Sequence, residues 1–424
     1  MPVDAATRQA STREDSDPPV TYAPPTLGTR GGTSNDQLRR YNLSMVMTML
    51  HHAGGCSRAE LTRRTGLNRS TIAALVAELV ELGMAFEVEP ESVVGRVGRP
   101  SPQVVPNPGL AAIAVNPDID AITVGLVGLG GEVIRRIRFD TTRVPTVAEA
   151  INAVKAIVDG MRGEIDQSYS IAGVGVAVPA LVNSADGRVL IAPHLGWRDA
   201  NLARDLARVL DYPVFAGNDA SLGAIAESMF GAARGINDLV YLNGSASGIG
   251  GGLIIGGSPL RGTSGYAGEL GHTLVNSQGV RCHCGRIGCL ETEVSMGRLL
   301  AVLGLPRADQ DELDIALGVS RDPAVLAEVR RQIELLSEAI SNFVNMFDPE
   351  MVVLGGFLGS LLSVGREQLT AAMIVRSMSS IGHTVAIERA SLGSRLMMVG
   401  AAELAFAGLL DDPAGFVRGR AGRR

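Results

Sequence analysis

A cluster of cysteine and histidine residues is the part of this sequence whose residue types and spacing point to the most specific chemistry. Three of the four cysteines, Cys282, Cys284 and Cys289, fall within eight residues, and His272 lies ten residues before the first of them. Three thiolates and one imidazole fill a tetrahedral zinc shell and leave no position for water, so such a site is structural rather than hydrolytic. The spacing therefore predicts a structural Zn²⁺ that shapes a loop. The alternative is four reduced side chains without a ligand.

The elements that must position this cluster belong to a large folded chain. With 424 residues, of which 46% are hydrophobic, the chain can bury a substantial core and has the length of two or three domains. Residues 1–30 lack the apolar stretch of a secretory signal, and no uninterrupted apolar segment is long enough to span a membrane. Cysteines grouped as for a metal fit a reducing compartment. We therefore expect a cytoplasmic protein without a membrane partner.

A helix-turn-helix pattern stands near the start of the chain. Residues 1–34 lack apolar periodicity and are expected to form a disordered tail, followed by a compact DNA-binding domain over residues 35–108. Ser57 and Glu60 form a capping-box pattern at one helix start, and Asn68 can cap a second helix after a Gly-centred turn. In such motifs the N-terminal end of the second helix enters the DNA major groove. The candidate DNA contacts here are Ser57, Asn68, Arg69, Ser70 and Thr71.

A short strand and a hairpin tip rich in Gly, Arg and Pro follow this motif. Arg96 and Arg99 lie in the tip, which resembles the wing of a winged helix. Arginines of a wing can reach the neighbouring minor groove. The alternative is a small helical bundle used for dimerisation, with an ordinary arginine-bearing loop. The net charge of −6 excludes only a protein that coats nucleic acid along its whole surface.

Beyond Pro108, apolar strands alternate with longer helical segments. This alternation favours two α/β lobes with a ligand cleft between them. We expect a first lobe over residues 109–235, completed by a C-terminal helix over residues 396–410, and a second lobe over residues 236–395 that carries the zinc loop. Residues 411–424 are expected to form a flexible tail.

Two motifs give the chain its resemblance to a known family. The Glu269-x-Gly-His272 motif and the loop from Cys282 to Glu291 match, in identity and spacing, the signature of the ROK family, which combines sugar kinases and sugar-responsive repressors. The chain resembles the repressor branch, with its N-terminal winged helix-turn-helix, over nearly all of residues 35–410. The resemblance implies a two-lobed α/β fold of the actin-like, hexokinase type, which is also described as ribonuclease-H-like. The zinc ligands that it implies are His272, Cys282, Cys284 and Cys289.

The same resemblance implies a sugar site. Asn218 and Asp219 match the family's Asn-Asp pair at the reacting sugar hydroxyl. Carboxylates accept hydroxyl hydrogen bonds, and a buried set of acceptors rejects ligands that lack those hydroxyls. Asp219 could be a helix cap, a role that can coexist with ligand binding, and Glu269 and Glu291 could merely orient the zinc ligands. The effector-binding residues implied by the resemblance are Asn218, Asp219, Glu269, His272 and Glu291.

The chain departs from the family's kinases at the first phosphate-binding motif. Kinase members carry Asp-x-Gly-Gly-Thr there, whereas residues 116–120 of this chain read Asn-Pro-Asp-Ile-Asp. Both glycines are missing, Pro117 lacks an N–H donor, and two carboxylates would face a polyphosphate. We therefore expect a kinase-like domain without catalysis, in which Asp219 only accepts hydrogen bonds. The glycine run over residues 248–252 fits either a vestigial phosphate site or close packing at a strand turn.

Together these patterns predict a sugar-responsive, DNA-binding transcriptional regulator of carbohydrate-metabolism genes that acts as a repressor. Sugar binding would change the closure of the lobes, and the heads of a homo-dimer or homo-tetramer must match half-sites spaced by about a helical turn. Operator DNA and a sugar or sugar derivative are thus the expected partners. The competing hypothesis is an ATP-dependent sugar kinase with a DNA-binding head. A third keeps the DNA binding and the zinc but has no small-molecule effector.

Overall fold

The structure is a computed structural model, and it describes residues 35–89, 102–378 and 382–421. The predicted disordered tail over residues 1–34 lies outside the described residues, and so do the predicted wing arginines Arg96 and Arg99.

The N-terminal head consists of residues 35–89 and 102–108. Its elements are α1 (Asn35–Ala53), β1 (Cys56–Ser57), α2 (Arg58–Thr65), α3 (Arg69–Glu81), β2 (Ala85–Val88) and β3 (Gln103–Pro106). Asn68 caps α3 by accepting a hydrogen bond from the Thr71 N–H at 2.8 Å, and Ser57 caps α2 in the same way. The predicted helix starts are therefore confirmed. The apolar face of α3 is buried and consists of Ile72, Leu75, Val76 and Leu79.

The first lobe is built on a sheet with the strand order β11-β7-β4-β5-β6. Its elements are β4 (Leu110–Pro117), β5 (Ala121–Gly128), β6 (Val133–Asp140), α4 (Val147–Ser168), β7 (Ser170–Val178), β8 (Leu181–Val182), β9 (Val189–Ala192), β10 (Trp197–Ala200), α5 (Leu202–Leu210), β11 (Val214–Asn218) and α6 (Asp219–Phe230). Strands β4, β7 and β11 are parallel, so their carboxyl ends meet at one edge of the sheet. Ile113 and Val115 of β4 face the core under α4 and α5, while Ala112 and Ala114 face the opposite side.

The second lobe contains a sheet with the strand order β14-β13-β12-β15-β16. Its elements are β12 (Leu239–Ser245), β13 (Gly248–Ile255), β14 (Ser258–Pro259), α7 (Leu290–Glu293), α8 (Met296–Leu303), α9 (Gln310–Val319), α10 (Pro323–Phe347), β15 (Met351–Gly356), α11 (Phe357–Arg376) and β16 (Ala386–Arg389). The long helices α10 and α11 bury their apolar faces against each other and against this sheet. Residues 260–289 form a loop between β14 and α7, with one short 3₁₀ turn at Leu270–His272.

The last long helix, α12 (Leu396–Asp411), returns to the first lobe and packs on the face of its sheet opposite α4. The approach is close, because a Cβ atom on Gly175 of β7 would lie 1.7 Å from the Ala401 carbonyl oxygen. Among the described residues, the segment Gly393–Asp411 is long and apolar enough to cross a membrane. Arg395 and Glu403 interrupt this segment, so it is not the uninterrupted apolar segment whose absence was expected. The apolar residues are explained by core packing, since Val399 and Phe406 are fully buried.

Residues 413–421 form a further helix, α13 (Pro413–Ala421), where a flexible tail was predicted, so that prediction is wrong for this segment. Proline at the first helical position suits a helix start, because the missing N–H would have no partner there. Phe416 and Val417 pack against the core shared by α1 and α12. This contact supplies the stabilisation that a nine-residue helix lacks when isolated.

A buried histidine fastens the head to the first lobe. His51 of α1 accepts a hydrogen bond from the Gly130 N–H through Nδ1 at 2.9 Å. Its proton must then be on Nε2, which donates to the Glu403 carboxylate of α12 at 2.9 Å. Both side chains are buried, and the cores of the head and of α12 are continuous around them. The head therefore does not move independently of α12 without breaking these bonds.

Candidate functional site

The two lobes enclose a cavity of about 420 Å³ at the carboxyl edge of the first-lobe sheet. The second lobe contributes the β12–β13 turn and the loop that ends at α7. The structure brings together around this cavity all the residues for which effector binding was predicted. These residues are Asn218, Asp219, Glu269, His272 and Glu291.

Asn218 and Asp219 are placed by the junction of β11 and α6. Asn218 is the helix cap, because its Oδ1 accepts from the Ser221 N–H at 2.9 Å, and its Nδ2 donates to the Ala180 carbonyl at 3.1 Å. The alternative in which Asp219 caps the helix is therefore wrong. Asp219 is the first helical residue, and one carboxylate oxygen accepts from the Ala220 N–H at 2.8 Å. Asp219 also lines the cavity, where the remaining lone pairs of its carboxylate can accept a hydrogen bond from a ligand.

The predicted metal ligands come together in the loop before α7. The ligand atoms of His272, Cys282, Cys284 and Cys289 all lie within 4.8 Å of one another. A hairpin holds the three cysteines, since the Cys282 N–H donates to the Arg286 carbonyl at 2.8 Å. The buried carboxylate of Glu293, which sequence reasoning missed, accepts from the Val280 N–H at 2.7 Å and so ties the loop to α7.

The spacing of these atoms fits a tetrahedral metal ion. With metal–sulfur bonds of about 2.3 Å, the edges of the tetrahedron measure about 3.8 Å. The Cys284 and Cys289 sulfur atoms are 3.7 Å apart, and the Cys282 sulfur lies 3.5 Å from His272 Nδ1. The cluster could therefore hold a metal ion through three sulfurs and one nitrogen.

Two carboxylates connect the cavity with the metal loop, which is the loop over residues 260–289 that carries the cysteine and histidine cluster. Glu291 Oε1 lies 3.4 Å from His272 Nδ1 and 3.2 Å from His283 Nδ1. Glu269 Oε2 lies 3.7 Å from His272 Nε2, on the ring edge away from the cysteines. Glu269 thus stands where it can accept from the free ring N–H of a metal-bound His272, whereas Glu291 faces the nitrogen that the metal would take. Both carboxylates also line the cavity, so for Glu269 the two roles that the sequence offered are compatible in this geometry.

The carboxyl groups of the cavity share an unfavourable environment for negative charge. Burial, with the nearby charge of Asp118, raises the pKa of Asp219 from 3.8 to about 6. Burial and the charges of Asp219 and Glu291 also raise the pKa of Glu269. A ligand that donates several hydroxyl hydrogen bonds would relieve this repulsion, because donors stabilise the ionised form. The electrostatics of the cavity therefore favour a neutral polyhydroxylated ligand over an anion.

Sequence reasoning missed two further histidines at this cavity. His194 follows β9, and His283 lies within the metal loop. Their ring centroids are 5.3 Å apart, and His283 also lies 5.2 Å from the His272 ring. Burial and the charge of His283 lower the pKa of His194. Neither residue carries a motif, since His194 reaches the cavity only through the folding of a long connection.

The glycine run after β12 is explained by packing. Gly248 has φ +140°, and a Cβ atom there would lie 2.5 Å from Glu291 Oε2. A Cβ atom on Gly250 would lie 2.6 Å from the Ala220 Cβ at the start of α6. Of the two explanations left open by the sequence, close packing is therefore the one that the geometry favours.

In the turn that replaces the kinase phosphate motif, two backbone N–H groups donate hydrogen bonds within the turn itself. The Asp118 N–H donates to the Ala121 carbonyl at 2.8 Å, and the Ile119 N–H donates to the Asp118 side chain at 2.7 Å. Pro117 has no N–H. Asp120 forms an ion pair with Arg138 at 3.0 Å, so the repulsion expected from two carboxylates is smaller than predicted. The N–H groups of Asp118 and Ile119 are thus already engaged within the turn.

The predicted DNA contacts divide into structural caps and exposed side chains. The Ser57 hydroxyl and the Asn68 side chain are engaged in capping. Arg69 and Ser70 are exposed at the N-terminal end of α3, whereas Thr71 is half-buried. Arg63 of α2, with 78% of its side chain exposed, is an additional cation on this surface that the sequence did not single out. Arg69 is thus the predicted DNA contact whose side chain is both long and exposed.

The fold and the cavity define a two-lobed ligand-binding protein with a helix-turn-helix head. The chain belongs to the ROK family, whose model matches residues 113–407. It is 28% identical over 381 residues to the xylose repressor of Bacillus subtilis, with 88% of this chain and 97% of that protein covered. It is also 25% identical over 336 residues to the N-acetylglucosamine repressor of Escherichia coli O6:H1, with 76% and 81% covered.

Solved structures show the same fold. A ROK family transcriptional regulator, described as a homologue of the Escherichia coli MLC protein, has a TM-score of 0.74 at 23% identity, with 91% of this chain and 100% of that chain covered. A ROK family glucokinase from Streptomyces griseus, in complex with glucose and AMPPNP, has a TM-score of 0.59 at 26% identity and covers 70% of this chain. The regulator thus matches over a larger share of the chain than the kinase does.

Proposed function

We propose that this protein is a sugar-responsive transcriptional repressor of carbohydrate-metabolism genes, acting in the cytoplasm as a homo-dimer or homo-tetramer. The observation that carries this proposal is the convergence of five polar side chains on one cavity between the lobes of a chain that also has a helix-turn-helix head. The repressor relatives support it, because their alignments extend over most of the chain. The cavity volume of about 420 Å³ suits a monosaccharide.

The connection from cavity to head is short. Asn218 and Asp219 begin α6, α6 packs on α12, and α12 carries the Glu403 carboxylate that holds His51 of the head. A sugar that draws the lobes together would shift the start of α6. Because α6 packs on α12, the shift would reach the head. Differential affinity of the sugar for the two arrangements is sufficient to change operator affinity.

A thermal-shift screen tests the sugar part of the proposal. A ligand that binds only the native state raises the melting temperature. Xylose and N-acetylglucosamine come first, because similar repressors are named for them. We expect a rise with one sugar and none with its phosphorylated form, since the carboxylates of the cavity repel an anion. No rise with any hexose, pentose or amino sugar would contradict the assignment of the cavity.

We also propose that the metal is Zn²⁺ and that its role is structural. Three sulfur ligands and one imidazole select zinc among the abundant divalent ions, and four protein ligands leave no site for a reacting water. By holding the loop closed, the ion would fix Glu269, His272 and Glu291 at the cavity. Metal analysis of the protein purified without chelators is expected to give about one zinc per chain.

Replacing Arg69 with alanine is expected to weaken binding to operator DNA. Arginine that reads a guanine edge contributes about 1–3 kcal/mol of discrimination, which corresponds to roughly a 5- to 150-fold loss of affinity. Fluorescence anisotropy at fixed salt measures the effect. The matched control is Arg208→Ala, because Arg208 is exposed on α5, remote from the head. Equal DNA affinities of the two variants would show that Arg69 does not contact the operator.

The competing hypothesis of an ATP-dependent sugar kinase makes the opposite prediction in a coupled ADP-release assay. Because the N–H groups of the turn at residues 117–119 are occupied or missing, we expect no sugar-dependent ADP release above background. Turnover with any sugar that raises the melting temperature would establish the kinase instead. In that case, the Asp219→Asn variant should show no sugar-dependent ADP release in the same assay.

A further inference from the structure

The head and the two lobes meet around a second cavity, which the sugar site does not explain. Its volume is about 310 Å³, and it shares no lining residue with the cavity at Asp219. Helices α1 and α2 of the head form one wall. The C-terminal ends of α6 and α12, the link over residues 234–237 and the β13–β14 turn form the others. A volume of this size lies at the lower end of the range for small-molecule sites, about 300–1,000 Å³.

One wall carries a buried polar atom that lacks a partner. His52 lines the cavity, and its Nε2 is buried without a hydrogen-bond partner among the described residues. An unsatisfied buried group of this kind costs about 1–3 kcal/mol, and native structures contain few of them. Burial, followed by the charge of neighbouring His51, lowers the pKa of His52 to about 4. The ring is therefore neutral at pH 7 and can donate one hydrogen bond.

Two guanidinium groups from different parts of the chain line the same cavity. Arg64 belongs to α2 of the head, and Arg234 belongs to the link before β12. Arg234 donates to the His52 carbonyl at 3.2 Å, while Arg64 lies 3.7 Å from Glu60, beyond hydrogen-bond distance. Each guanidinium has five N–H donors, so most remain available. Asp411 is the only carboxylate among the lining residues, against two guanidinium groups.

We propose that this cavity is a second ligand site that binds a small anion through Arg64, Arg234 and His52. The two arginines match the planar geometry of a phosphate or carboxylate group, and His52 Nε2 supplies a further donor. The hydroxyl groups of Ser44 and Thr48 on α1 can bind the remaining polar atoms of the ligand. An anion held between Arg64 and Arg234 joins the head to the lobes and stabilises this placement of the head. The site thus provides an input to DNA binding that is separate from the sugar.

Thermal shift and calorimetry on the full chain test the site, with inorganic phosphate and citrate as probes at constant ionic strength set by chloride. We expect at least one probe to bind, and Arg64→Met and Arg234→Met to weaken it by about 10-fold each. The matched control is Arg63→Met, because Arg63 neighbours Arg64 on α2 but does not line the cavity. Binding of phosphate alone assigns a phosphorylated ligand, and binding of citrate alone assigns a carboxylate.

A second readout uses the parent protein, so it tests the site even if an arginine variant fails to fold. The His52 imidazole resonances, assigned by comparison with His52→Gln, are expected to shift on addition of the probe that binds. Failure of both probes to bind, or equal affinity in the Arg64 and Arg63 variants, overturns the proposal. An unchanged His52 spectrum in the presence of a bound probe also overturns it. These outcomes are independent of the sugar assignment, because none of the residues tested lines the sugar cavity.

Discussion

Replacing Cys289 with serine is expected to remove the metal and to abolish sugar binding together. Cys289 is fully buried, its sulfur lies 3.7 Å from that of Cys284, and Glu291 follows it by two residues at the start of α7. Loss of one ligand opens the loop that carries Glu269 and His272 and that leads into Glu291 of α7. Because structural zinc contributes folding free energy directly, we expect the metal content to fall below about one tenth of an ion per chain. Sugar affinity should fall by at least about 100-fold, or about 2.7 kcal/mol.

The matched control is Cys56→Ser. Cys56 is also buried, but it lies in the head and outside the metal cluster. This variant should keep its metal and its sugar affinity, with only a modest loss of stability. If Cys289→Ser retained stoichiometric zinc and the sugar affinity of the parent protein, the proposed link between the metal loop and the sugar cavity would be wrong.

Replacing Asp219 with asparagine is expected to have opposite effects on stability and on sugar binding. The pKa of Asp219 is about 6 in the folded protein, against an ordinary value of 3.8. Below about pH 4 the group is protonated in both the folded and the unfolded chain. As the pH rises to about 6, the unfolded chain releases this proton before the folded protein does, so the folded protein loses stability. At pH 7 the loss amounts to up to about 3 kcal/mol.

Asparagine never acquires this charge, and its Oδ1 can still accept from the Ala220 N–H. Without sugar, Asp219→Asn should therefore be more stable than the parent at pH 7 and nearly equal to it at pH 4, as measured by urea unfolding. Sugar affinity should fall by about 10- to 100-fold, because a hydrogen bond to a charged acceptor is lost. Asp205→Asn on α5 is the control and should change neither quantity. A stability difference that did not grow between pH 4 and pH 7 would refute the environment described for Asp219.

The features that the sequence predicted correctly depend on residues close together in the chain. The caps of α2 and α3 involve side chains three residues from their partners, and the three cysteines of the cluster that could hold a metal span eight residues. Local hydrogen bonds and local spacing are therefore sufficient to predict the two caps and the cysteine cluster. The pairing of Asn218 and Asp219 with Glu269 across the lobes was reached only through the resemblance to a family.

The features that the sequence did not reveal depend on tertiary packing. His51 and Glu403 are 352 positions apart, and nothing in the sequence around either residue marks the contact. The sequence does not predict helix α13, because its stability comes from the core shared by α1 and α12 rather than from its own propensity. His194 reaches the sugar cavity through β9 and the turn after it. A single sequence contains no local signal for contacts of this kind.

The measurement that tests the central proposal most directly is binding of the full chain to a DNA sequence selected by the protein from a random library. Anisotropy titrations at one stated salt concentration are compared with and without the sugar that raises the melting temperature. We expect the sugar to weaken DNA binding at least about 10-fold in the parent protein, or about 1.4 kcal/mol, and to have little effect in Asp219→Asn at the same concentration. Unchanged DNA affinity at saturating sugar would contradict the account of a sugar-responsive repressor.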